Sequence, residues 1–186
     1  MDEREELKNY DKAKKLLFLD IMPVDDGIMQ DYPTMVVGDV MLICRVLVEY
    51  DLVEDRIRAI AVDNEMLEGF KVTKEQMFDD AAASMEGIFK PSYMDISPSS
   101  LMVTTDFGFR GASVVFCRNV QEELLKRFPG GFYLVFGSLH GVLVSGVENG
   151  QMLLRKVAKK KMEKEDHLSG RLYWFNRDTK KIEEVE

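Results

Sequence analysis

Val40-Met41-Leu42-Ile43-Cys44-Arg45-Val46-Leu47-Val48-Glu49 is the stretch on which the fold turns. Side chains alternate between two faces along a strand. Here Val40, Leu42, Cys44, Val46 and Val48 take one face, and Met41, Ile43, Arg45 and Leu47 take the other. Both sets are mostly apolar, which marks a strand covered on both sides and therefore central. Residues 35–49 form the longest strand candidate around it. Arg56-Ile57-Arg58-Ala59-Ile60-Ala61-Val62 alternates more cleanly and reads as a strand with one wet face. A tight connection at Tyr50–Asp55 makes residues 35–62 a predicted hairpin. Upstream, residues 16–22 have the apolar density of another buried strand, stopped by Pro23 and the Asp25-Asp26-Gly27 turn.

Downstream the period changes. Thr73 followed by Gln76 resembles a capping box. Met77, Phe78, Ala81, Ala82, Met85 and Ile88 then recur at helical spacing, predicting a helix of about fifteen residues that ends before Pro91. Residues 101–104 and 112–117 read as a second hairpin around a glycine-marked turn. Asn119 with Glu122 is expected to cap a short helix over 120–128, closed by Pro129-Gly130-Gly131. Strands are predicted at 132–136 and 141–147, a basic helix at 151–165, a strand at 171–175, a polar turn at 176–180, and a return strand through Ile182. Residues 1–15 read as a charged arm or short surface helix ahead of one domain at 16–186. Short turns between successive strands imply antiparallel pairing. The expected class is α+β, a mostly antiparallel sheet covered by two or three helices.

Charge narrows the partners. Residues 16–140 carry 20 acids and 10 bases, whereas residues 141–186 carry 8 acids and 10 bases. An acidic body repels phosphate and attracts basic protein surfaces. The charged N-terminus has no apolar segment behind it, which reads as a cytoplasmic protein without a secretory signal. No apolar run approaches the ~20 residues that span a bilayer. Cys44 and Cys117 sit in apolar runs and read as buried, reduced thiols. Two cysteines without close spacing and two histidines, His140 and His167, do not compose a metal site, and no cofactor motif is present.

Three constellations could carry function. Ser138 and His140, two apart, could share a face; with Asp106 as orienting carboxylate they would make a hydrolase-like centre of unrecognised type. Cys117 with His140 is a thiol–imidazole alternative that no local signature supports. Lys156, Lys159, Lys160 and Lys164 share one face of the basic helix, a stripe suited to nucleic acid, to an acidic partner, or to a second copy of the chain in a dimer.

The motifs "VMLICRVLV" at 40–48, "FDDAAASM" at 78–85, "GFRGASVVF" at 108–116, "FYLVFGSLHGVLV" at 132–144 and "HLSGRLYWFNRDTKKIE" at 167–183 together resemble a domain-of-unknown-function family of anaerobic gut bacteria and their mobile elements. The resemblance covers most of the chain from about residue 16. It implies no catalytic residue; members often carry a glutamate after the histidine equivalent to His140, where this chain has Gly141. In character the chain is similar to small acidic inhibitors such as anti-CRISPR proteins. The expected function is thus a non-enzymatic acidic binding protein that inhibits a nucleic-acid-processing enzyme such as a Cas nuclease. Asp51, Glu54, Asp55, Asp63 and Glu65 are its expected contact residues, against a basic protein surface.

Overall fold

The computed structural model describes residues 7, 9–51, 56–108, 110–147, 154 and 166–185. The architecture is α+β and antiparallel, but the strands divide into two sheets. In the first, β3 (Val40–Asp51) is the spine. β1 (Leu17–Pro23) pairs along one side, from Leu17 opposite Val46 to Pro23 opposite Val40. β2 (Thr34–Val37) and β4 (Arg56–Ala61) share the other side, β2 against residues 40–43 and β4 against residues 45–51. A central β3 is what its two apolar faces require.

β2 and β3 are joined by Gly38-Asp39 alone. Gly38 has φ +61 at the first turn position, the mark of a type II′ hairpin turn. A Cβ there would lie 2.7 Å from Glu184 Oε2 and 2.9 Å from Tyr173 Cε1, so the site needs glycine for space as well as for conformation.

The second sheet runs β10-β9-β7-β8-β6-β5: β5 Pro91–Ser97, β6 Ser100–Thr105, β7 Phe132–Ser138, β8 Gly141–Ser145, β9 Tyr173–Asn176 and β10 Lys181–Glu184. Leu101, Val103, Val142, Val144, Leu134, Phe132, Tyr173 and Phe175 are buried along its inner face and join the residues of the first sheet in one apolar cluster. β5 was not foreseen in the sequence. It is an edge strand, and it opens on Pro91, a position that tolerates proline because no ladder donor is needed there.

Two short helices, α1 (Tyr10–Ala13) and α2 (Asp26–Asp31), precede β1 and β2. α3 (Asn64–Phe70) and α4 (Lys74–Ile88) follow β4. α4 matches its predicted span, and the Thr73 hydroxyl accepts the Gln76 N–H at 3.1 Å. Its buried side, Met77, Phe78, Ala81 and Met85, packs on β1 and β3.

Three expectations need correction. Residues 35–49 are not one strand: the Gly38-Asp39 turn splits them into β2 and β3, which pair with each other. Residues 112–117 are not a strand: Gly111–Phe116 forms a 3-10 turn. β6 already has β8 on one side and β5 on the other, so no third strand can pair with it. The turn lies against β1 instead, where the Ser113 hydroxyl donates to Leu19 O at 2.7 Å. The following helix, α5 (Arg118–Arg127), starts earlier than predicted and is not capped by Asn119. The Asn119 N–H donates across to Glu86 of α4 at 3.1 Å. The predicted basic helix lies outside the described residues except for Leu154, which is buried against Val135 and Leu172.

Burial pushes the Cys117 thiol from 9.0 up to about 12, with Glu86 adding to the effect, and burial likewise pushes up Cys44. The fold therefore holds both groups protonated. Stability should be complete below pH 9 and fall as pH rises from there toward 12, by at most about 1.4 kcal/mol per pH unit for each group. Urea midpoints across that window should decline, and Cys117→Ala should flatten the slope. An unchanged slope would contradict the assignment. Met77→Ala, which empties a fully buried site, should cost about 2–5 kcal/mol in the same assay.

Candidate functional site

The serine and histidine singled out in the sequence sit at the tight β7–β8 turn, where Ser138 pairs with Gly141. The Ser138 hydroxyl accepts the backbone N–H of His140 at 3.1 Å and so is engaged with the turn itself. The half-buried imidazole looks elsewhere. Its Nδ1 accepts the Arg110 backbone N–H at 3.4 Å, and its Nε2 lies 3.5 Å from Asp166 Oδ1. That pattern places the proton of the neutral ring on Nε2. The carboxylate beside the ring is therefore Asp166, held in place as Leu139 N–H donates to its backbone carbonyl at 3.0 Å. Asp106 is exposed, its N–H donating to Lys90 O at 2.9 Å. Cys117 is buried at the α5 start with a raised pKa, an environment that disfavours a thiolate nucleophile.

Next to this turn lies the most buried charge among the described residues. Asp20, on β1, is 1 % exposed. Arg45 Nε donates to its Oδ2 at 2.6 Å, and Arg110 Nη1 donates to Oδ1 and Oδ2 at 2.6 and 2.7 Å. Arg110 itself has φ +48, in the left-handed region that non-glycine residues rarely occupy. The adjoining Gly111 has no room for a side chain: a Cβ would meet Thr104 Oγ1 and Thr105 N at 2.6 Å and His140 O at 2.7 Å. Glycine at 111 thus lets the turn pass under the β7–β8 connection and delivers Arg110 to Asp20.

A second polar junction closes the far end of β2. Asp39 accepts hydrogen bonds from Ser169 Oγ at 2.6 Å and from the Tyr173 hydroxyl, and Arg171 Nε lies 3.1 Å away. Arg171 Nη1 also donates to both Glu184 carboxylate oxygens, at 2.6 and 2.7 Å. Burial and then the hydrogen bond to Asp39 raise the Tyr173 pKa.

From this junction an open groove of ≈ 960 Å³ runs between β2, α4 and β10. Leu19, Met35, Val37, Phe78, Ala82 and Phe116 supply its apolar lining. β2 and β10 are each an edge strand of their sheet, so the groove lies between two strand edges. Its α4 wall carries Glu75 and Asp79, both exposed, and Glu86. Lys180 and Lys181 stand on the opposite wall, Lys180 at φ +54. Glu75 and Asp79 are i, i+4 neighbours of like charge, an arrangement that weakens a helix by a few tenths of a kcal/mol. Among the described residues no cation closes on either.

The acids expected to form a contact surface are dispersed in role. Asp51 ends β3, 4.0 Å from Arg56 Nη2. Asp63 caps α3, its Oδ1 accepting Met66 N–H at 2.8 Å, and Glu65 is exposed in the first turn of that helix. Glu54, Asp55, Lys156, Lys159, Lys160 and Lys164 lie outside the described residues. In the sequence Asp79 reads only as a solvated neighbour of Asp80 and Glu75 carries no signal, although the predicted α4 helix already places Glu75 and Asp79 four apart on its polar side. No helix among the described residues is long and apolar enough to cross a membrane. No family model matches the chain, and no curated protein or solved structure matches it.

Asp20→Ala leaves two guanidinium groups converging without their carboxylate. It should cost about 2–3 kcal/mol in urea unfolding, the arginines' access to water limiting the loss. Gly111→Ala forces backbone apart and should cost about 1–3 kcal/mol. If either variant unfolds at the wild-type midpoint, the junction does not hold the fold as described.

Proposed function

We propose that this chain is a non-enzymatic binding protein that engages a basic protein surface. In its most concrete form it is an inhibitor occupying the groove where a nucleic-acid-processing enzyme, such as a CRISPR effector nuclease, holds its nucleic acid. One observation carries the reading: Glu75 and Asp79 stand exposed, four residues apart beside an apolar groove, with no cation closing on them among the described residues. Like charges in that arrangement repel each other, and a cationic partner removes that repulsion. The apolar lining adds area that a partner can bury, which charge alone does not supply. The acidic balance of residues 16–140 supports the same polarity of partner. The resemblance to a mobile-element family suggests an inhibitor of host defence as the setting.

Pull-down of purified nucleic-acid enzymes at low and high salt tests the proposal. Retention of a basic nuclease at low salt, weakened by added salt, is expected. Replacing both acids (Glu75→Gln with Asp79→Asn) should lower affinity about tenfold, equivalent to about 1.4 kcal/mol. The proposal is overturned if no basic nucleic-acid enzyme is retained at low salt.

A further inference from the structure

We infer that the groove binds its partner by strand addition: an extended protein segment with Lys or Arg at alternate positions pairs with the free edge of β2. This inference rests on the proposed binding function and names the recognised chemistry. In the two-residue hairpin at Gly38-Asp39, Val37 and Val40 face each other as the closing pair. Such a pair exchanges its own N–H and C=O groups, and the pattern then alternates along the strand. Val37 and Met35 therefore direct their backbone groups to β3, while Val36 and Thr34 direct theirs outward. Among the described residues nothing bonds to those outward groups. Val36 is 49 % exposed and Met35 36 %, so the edge is open to a segment arriving from solvent. An unpaired edge beside an apolar groove is the structural requirement for strand addition.

The side-chain pattern follows from the same geometry. Met35 lies opposite Leu42, and Leu19 opposite Cys44, on the sheet face that α4 covers. An added strand would turn every second side chain toward that face, past Phe78 and Ala82 to Glu75 and Asp79. Lysine and arginine fit both parts of this path: their alkyl stems cover apolar surface while the charged head stays at the rim. Lys180 and Lys181 on the opposite wall repel a uniformly basic tract, so the intervening positions are apolar or uncharged. β2 is four residues long, about 14 Å at ~3.4 Å per residue, which sets the paired length at roughly four to six residues.

The experiment uses the full chain and the peptide acetyl-Val-Lys-Val-Lys-Val-Lys-amide, followed by amide chemical shifts and hydrogen exchange. Binding should shift the Thr34 and Val36 amides and slow their exchange. The Val-Glu analogue should bind at least about tenfold more weakly, as should the same Val-Lys peptide N-methylated at alternate residues. Val36→Pro removes one outward donor without touching the β3 ladder, as edge strands allow, and should reduce binding by a similar factor. The N-methylated peptide keeps the test valid if that variant does not fold. Equal binding of the N-methylated peptide, or shifts confined to other surfaces, would overturn strand addition. So would a concentration-dependent dimer of the free protein that Val36→Pro abolishes, because a second copy would then own the edge. If Val36→Pro leaves nuclease retention intact while the double acid replacement removes it, the binding function stands and strand addition fails.

Discussion

A carboxylate taken out of water survives only when cations and hydrogen bonds surround it. Asp20 meets that constraint with two arginines drawn from different parts of the chain. Arg45 is a neighbour on the same sheet; Arg110 comes from 90 residues further along, between β6 and the 3-10 turn. Much of the polar centre follows from that second arginine. It holds the chain in a left-handed conformation at 110, which brings a backbone N–H to His140 Nδ1 and threads Gly111 beneath the β7–β8 turn. His140, which looks like chemistry in the sequence, here accepts a hydrogen bond from the loop that carries Arg110 to Asp20.

The sequence made the periodic elements legible and left the exceptions obscure. β3 and α4 announced themselves because burial on both faces of a strand, or on one side of a helix, forces a pattern on a dozen residues at once. Residues 112–117 misled because an apolar run without a clear period only says "buried"; Ala112, Val114 and Val115 are buried in a 3-10 turn as completely as in a strand. The division into two sheets was invisible, since antiparallel hairpins look alike whichever sheet receives them. At the candidate site, Ser138, His140 and Asp106 stand out by residue type, but their partners are set by tertiary contacts. Asp166 stands beside the imidazole from 26 positions away, and no local spacing forecasts that. Glu75 and Asp79 were legible in principle: the helix is predicted, and only the absence of a cation beside them among the described residues needed coordinates.

The treatment of strand edges separates one part of the surface from the rest. β1 has the 3-10 turn against it, with Ser113 bonded to Leu19 O. β5 begins at Pro91, shifts register between Asp95 and Ser97, and has Asp95 tied to Arg127, features that blunt an edge against unwanted pairing. β2 is short and follows Pro33, but among the described residues no turn, register shift or ion pair covers its outer edge. Its outward backbone faces an apolar groove flanked by charges of both signs, so its availability is selective by side chain.

The Asp39 junction also bears on the order in which this chain can mature. Ser169 and Tyr173, which seal the β2–β3 turn, lie 130 and 134 residues after it. During synthesis the first sheet is complete in sequence long before its latch emerges from the ribosome. Contacts of such separation form late, because a long loop must close first. For that interval the nascent chain presents β2 without its restraining hairpin, and truncation anywhere before residue 169 leaves it permanently so.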